Sequence, residues 1–119
     1  MMMLLALLAL TAPVQDGSPP EAPHTATKLV PINPQSWVTA KDYPSTSRNA
    51  GHTGIVGFRL DVDATGTVTK CTVISSSGHA LLDHKTCSVL MQRARFQPAL
   101  DGNGQPMPAT WSSRFSWGT

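Results

Sequence analysis

The sequence predicts an α+β domain in which a three-stranded antiparallel sheet is packed on one face by two helices, in the order helix, strand, strand, helix, strand. Three patterns carry that expectation. Period-two alternation runs through Val56, Phe58, Leu60 and Val62 and returns in the closing stretch TWSSRFSW. The turn sequence DATG separates the first of these strands from a second β-rich run, and apolar residues at helical spacing fill the stretch before the last strand. At 119 residues the chain supports a single core.

The first helix is predicted in DYPSTSRNAG. Pro44 suits the first helical position, with Asp42 or Tyr43 just outside, and Gly51 suits a left-handed closing residue. Ser, Thr and Asn are weak helix formers, so packing of Tyr43 and its neighbours must hold these two turns. In GIVGFRLDVDATGTVTKCTVIS the apolar residues alternate with Gly57, Arg59, Asp61 and Asp63, giving a half-buried strand. DATG then forms a four-residue hairpin loop into a strand from Thr67 to Ser75, on which Cys71 and Val73 share the inward face.

From Ala80 to Arg95, Leu82, Cys87, Leu90, Met91 and Ala94 recur near helical spacing, while Lys85, Gln92 and Arg93 face water. Ser77 is the expected N-cap, and Asp83 lies early in the helix, where a carboxylate favours the positive end of the dipole. The last strand places Trp111, Ser113, Phe115 and Trp117 toward the helices and Thr110, Ser112, Arg114 and Ser116 on the other side. Laid beside the first strand, it completes a sheet of order two, one, three. The last strand is then an edge with unpaired N–H and C=O groups, a place where a partner's strand can be added.

Residues 1–15, MMMLLALLALTAPVQ, form a signal-like apolar segment that lacks Lys or Arg ahead of its hydrophobic run. About 20 apolar residues are needed to cross a bilayer core, and this run is shorter. Export is therefore expected, with an uncleaved membrane tether as the alternative. Residues 16–36 read as a Pro-rich linker, and the folded domain is expected over residues 37–119.

Two cysteines, Cys71 and Cys87, in an exported chain suggest one disulfide. Closing a loop of about 15 residues contributes about 3 kcal/mol in the chain-entropy account. A net charge of +2, with nine Lys and Arg scattered without a run, leaves no footprint for nucleic acid.

The stretch SSSGHALLDHKTC, Ser75 to Cys87, holds the residue types of an active site. A serine hydrolase would need Ser75, Ser76 or Ser77 with His79 or His84 as base and Asp83 to orient it. No G-x-S-x-G elbow is present, and His79 and His84 would project about 140° apart on a helix of 3.6 residues per turn. A metal would find His79 and Asp83 on one face without His84, and His24 and His52 have no neighbouring ligand in sequence. Cys87 has Cys71 as a simpler partner than a catalytic role near His84. No catalytic, metal or cofactor site is expected. The stretch reads as strand end, turn, helix start and one half of a staple.

The chain resembles the C-terminal domain family of TonB energy transducers. The resemblance is carried by DYP at Asp42 to Pro44, GIVGFRLDVDATGTV at Gly54 to Val68, SSG at Ser76 to Gly78, and LD at Leu82 and Asp83. It continues in RARFQPA at Arg93 to Ala99, GQPM at Gly104 to Met107, and the aromatic strand ending at Trp117. It implies a periplasmic, non-enzymatic domain that binds a short segment of outer-membrane receptors beside its final strand. Such domains couple inner-membrane energy to uptake of iron complexes and similar nutrients.

Carried onto this chain, the partner-binding edge is Thr110, Trp111, Ser112, Ser113, Arg114, Phe115, Ser116 and Trp117. The implied partners are outer-membrane TonB-dependent receptor segments and an inner-membrane energising complex. The chain departs from the family in its short apolar run and short linker, in its cysteine pair, and in Ser47, where the family usually has Ala. The alternative expectation is a stand-alone exported interaction module, pairing with a second copy through the same edge, without transport coupling.

Overall fold

The computed structural model describes residues 26–118. The signal-like segment and residues 16–25 of the linker lie outside them. In chain order the elements are β1 (Val30–Pro31), 3-10 turns at Pro34–Ser36 and Ala40–Asp42, α1 (Ser45–Asn49), β2 (Gly54–Val62), β3 (Val68–Ser75), α2 (Ala80–Arg93), β4 (Phe96–Gln97), β5 (Ala99–Leu100), β6 (Pro106–Met107) and β7 (Ala109–Trp117). The three long strands form the predicted antiparallel sheet, in the order β3, β2, β7.

Strand β2 is the middle of the sheet because its inward row, Val56, Phe58, Leu60 and Val62, is fully apolar and sinks into the core. Its pairing with β7 runs without a break from Gly54 opposite Trp117 to Val62 opposite Ala109. Its pairing with β3 is interrupted twice, between Gly57 and Phe58 and between Asp61 and Val62.

The β2–β3 turn is built on Asp63, whose Oδ1 accepts hydrogen bonds from the backbone N–H groups of Thr65 (2.9 Å) and Thr67 (3.0 Å). Gly66 takes φ +88, and a Cβ there would lie 2.0 Å from the Phe96 carbonyl oxygen, so the turn accepts only glycine. Thr67 leaves the expected strand and bridges to Arg95 instead. The stretch after α2 repeats this turn. Asp101 Oδ1 accepts from the N–H groups of Asn103 (2.8 Å) and Gln105 (3.0 Å), Gly104 takes φ +77, and β5 pairs with β6.

Helix α2 lies across β3 and β2 and buries Leu82, Thr86, Val89 and Leu90. Of the expected inward stripe, Leu82, Leu90 and Ala94 are buried and Cys87 turns to β3, while Met91 is 40% exposed and Thr86 and Val89 take core positions. Thr86 is tolerated there because its hydroxyl is fully used. It donates to the Leu82 carbonyl (2.8 Å) and accepts from Trp117 Nε1 (2.9 Å), which anchors the end of β7 in the core. Cys71 and Cys87 form the disulfide, with Cα atoms 5.5 Å apart, and tie α2 to β3.

Arg93, expected in water, reaches back from the end of α2. Its guanidinium donates in a fork to both Asp42 oxygens (2.9 and 3.0 Å) and also to the Trp37 carbonyl (2.9 Å). Asp42 in turn accepts from the Thr39 N–H (2.9 Å), closing the second 3-10 turn. The Arg93 hydrogen bonds hold the Asp42 carboxyl below the usual aspartate range, against the opposing effect of burial. Pro44 is the N-cap of α1 rather than its first residue, and Gly51 at φ +70 follows the helix end as expected. On α1, Ser47 is fully buried and its hydroxyl has no hydrogen-bond partner.

Packing begins ahead of Trp37. Leu29 is buried, β1 pairs with β4, and Thr27 and Leu100 exchange backbone hydrogen bonds of 2.9 and 3.2 Å. The ring of Trp37 stacks into an aromatic cluster with Phe96 (centroids 5.3 Å) and Trp111 (5.9 Å), and its indole N–H donates to the Ile32 carbonyl (3.0 Å). Among the described residues no helix is long and apolar enough to cross a membrane.

Four outcomes test this account. Reducing the disulfide lowers unfolding stability by about 2–4 kcal/mol, read from denaturant midpoints of oxidised and reduced chain. Thr86→Val, which keeps the volume but orphans the Trp117 indole N–H, costs about 1–3 kcal/mol in the same measurement, whereas Ser47→Ala, which removes an unpaired buried hydroxyl, is neutral or stabilising by about 1 kcal/mol. Asp42 has a folded-state pKa below its unfolded value, so its contribution is complete above about pH 4 and is lost as pH falls through the folded value. Thermal midpoints between neutral and strongly acid pH therefore drop less steeply in Asp42→Asn than in the parent chain.

Candidate functional site

The last strand is a free edge. β7 pairs with β2 along its nine residues, and on its other side no backbone hydrogen bond is made among the described residues. Its side chains alternate as the sequence predicts. Thr110, Ser112, Arg114 and Ser116 are exposed on the helix-free face, Trp111, Ser113 and Phe115 are half-buried on the helix side, and Trp117 is buried. All eight residues of the expected edge thus lie on one strand, but Trp117 offers only its main chain, because its side chain is in the core.

The inward row of β7 is half-covered because α2 lies over the other two strands. Two hollows result. One, of about 370 Å³, lies along Trp111, Ser113 and Phe115 and is walled by Pro34, Trp37 and Val38. The other, of about 630 Å³, lies beside Ala109 to Trp111 and is walled by Thr27, Lys28 and Leu29. Both are lined mainly by apolar groups and contain no carboxylate. The wall residues were missed from the sequence, although the apolar run LVPI at Leu29 to Ile32 inside a proline-rich stretch is a signal that this part packs.

The stretch from Ser75 to Cys87 is a structural joint. Ser76 and Ser77 donate their hydroxyls to Asp83, and the Ser77 N–H also donates to Asp83 Oδ1 (2.9 Å). Partial burial pushes the Asp83 carboxyl up, but these hydrogen bonds outweigh it and leave the group below the usual range. His79, not Ser77, is the N-cap residue of α2, and Ser77 Oγ accepts from the His79 N–H (3.1 Å).

The imidazole of His79 stacks on His52, with centroids 4.0 Å apart and planes 11° from parallel. The hydrogen bonds of Ser76, Ser77 and Asp83 among the described residues involve no ring nitrogen of His79. Parallel rings also cannot aim their nitrogen lone pairs at one ion, and no group of three metal-ligating side chains gathers among the described residues. His84 is exposed on the helix, Cys87 is spent in the disulfide, and His24 lies outside the described residues. The residues of this stretch that are described serve the turn into α2 and the disulfide.

Residues 39–119 match the family described as Gram-negative bacterial TonB protein C-terminal. No curated protein matches the chain. The match covers most of the sequence and includes every strand of the three-stranded sheet together with α2, so the chain belongs to the TonB C-terminal family.

Proposed function

We propose that this chain is a periplasmic protein-binding domain that takes up an extended segment of an outer-membrane receptor beside β7, in energy-coupled uptake of iron complexes and similar nutrients. The family is one of receptor-engaging transduction domains of the cell envelope rather than enzymes. The observation that carries the reading is the unbroken outer edge of β7: the strand is in register with β2 through all nine residues, and among the described residues the N–H and C=O groups of its alternate residues, which point away from β2, are free. Residues Thr110 to Trp117 supply the pairing groups. Arg114, exposed on the helix-free face, is the charged side chain that an added strand would meet on that side.

Main-chain pairing gives affinity that is tolerant of sequence, and the side chains of alternate positions set the choice of partner. An inner-membrane energising complex is the partner that would supply the work. The second reading is a stand-alone module in which β7 pairs with β7 of a second copy; the same free edge supports it, and it makes receptor segment and second copy compete for one surface.

The reading is tested by titrating isotope-labelled chain with synthetic peptides from the N-terminal segments of outer-membrane receptors. Amide resonances of residues 110 to 117 shift, and methylating alternate backbone nitrogens of the peptide weakens binding at least about tenfold, a loss of about 1.4 kcal/mol or more. Shifts confined to other parts of the chain, or indifference to backbone methylation, would overturn strand addition. Sedimentation at rising concentration separates the second reading, since a dimer through β7 dissociates when peptide is added.

A further inference from the structure

We infer that residues 26–38, which lie ahead of the family match, form the outer wall of the channel that the partner segment enters, and so select which segment the edge accepts. The inference rests on the strand-addition reading above. Both hollows beside β7 are closed on their outer side by this stretch: Thr27 to Leu29 stand beside the start of the strand, and Pro34 to Val38 beside its middle. The family match begins at residue 39, so the wall lies ahead of the matched residues.

The wall is held without a hydrogen bond to β7, which it touches through the ring of Trp37 on Trp111. Thr27 is bonded to Leu100 through both its N–H and C=O, β1 is paired with β4, the Ile32 N–H donates to the Arg95 carbonyl (2.9 Å), and Arg93 holds the Trp37 carbonyl. Each of these hydrogen bonds runs to the segment that follows α2 or to the end of α2 itself. The strand edge therefore stays unpaired while a rigid surface stands beside it.

That arrangement fixes the chemistry of the occupant. Alternate residues of an added strand lie about 6.6–6.8 Å apart, and those facing inward enter the hollow beside Trp111 and Phe115. Ser113, small and set between these two aromatic residues, leaves the space into which an apolar side chain fits. The charged residues lining the hollows are Lys28 and Arg114, with no acidic group to oppose them. The occupant is thus an extended peptide segment with apolar side chains at alternate positions and acidic rather than basic residues at its ends.

The test uses the full chain and two synthetic peptides of alternating valine and serine, one ended by glutamates and one by lysines. The parent chain binds the glutamate-ended peptide about five- to tenfold more tightly at low salt. The double variant Lys28→Glu with Gln35→Glu changes two exposed wall positions and reverses that preference, while amide shifts along residues 109–117 persist in both chains. If the variant keeps the parent's preference and the shifts along β7 remain, the wall does not select and the inference falls while strand addition stands. If neither peptide shifts residues 109–117, the strand-addition reading falls first and the inference with it. If peptide binding weakens as protein concentration rises and the variant changes nothing, a second copy fills the channel and the inference is likewise overturned.

Discussion

A helix with its side chains is about 10 Å wide and neighbouring strands stand about 4.8 Å apart, so α2 shields about two of the three strands. The Cys71–Cys87 bond decides which two, because it ties the helix to β3, the strand farthest from β7. The inner row of β7 is reached from α2 chiefly at its end, where the Trp117 indole bonds Thr86. The remainder of that row must be covered from elsewhere. Trp37, brought in by the turns ahead of α1, packs on Trp111 and Phe96 and closes the core where the helix stops short. What Trp37 does not reach stays half-open, and that is where the hollows lie.

Residues that look like chemistry serve as joints in this fold. Asp83 gathers Ser76 and Ser77 and fixes the turn into α2; Asp42 and Arg93 fasten the first turns to the end of the same helix; Asp63 and Asp101 each cage a glycine-containing turn. In each case a carboxylate satisfies backbone or side-chain donors where the chain changes direction, and those donors would otherwise be left without partners. Helix α2 is thereby located at three points: its start by Asp83, its middle by the disulfide, and its end by Arg93.

What could be read from sequence was what repeats or what is punctuated. The alternation of Val56 to Val62 and of Trp111 to Trp117 gave the faces of β2 and β7, the turn signal DATG gave the hairpin, and the even pair of cysteines gave the staple. The phase of α2 was harder. The buried place of Thr86 depends on a donor brought from β7, the Trp117 indole, as well as on the Leu82 carbonyl of its own helix, and spacing shows nothing of the former. Met91 was counted inward because spacing alone does not tell which of two adjacent stripes the sheet meets. Arg93 pairs with Asp42 and Trp37 across more than fifty residues, a contact that no local pattern encodes. The same holds for β1 and β4, two-residue strands too short to show a period. The edge of β7 followed from strand order and was legible; its walls were not, because they come from a stretch whose composition reads as spacer.

The two long edges of the sheet differ in a way that bears on how copies of this chain would assemble. Joining two unlike edges, β7 of one molecule to β3 of the next, gives a head-to-tail contact that grows into a fibre unless its rotation closes a ring. The interruptions between β2 and β3 bend and twist that side, which spoils it as a template for a straight neighbour. The straight edge, β7, can meet only its own kind across a two-fold axis, and a pair so formed has used up its last regular edge. The irregular side of the hairpin thus acts as a guard: it lets the chain keep one sheet edge open for a partner without making every molecule a seed for endless growth.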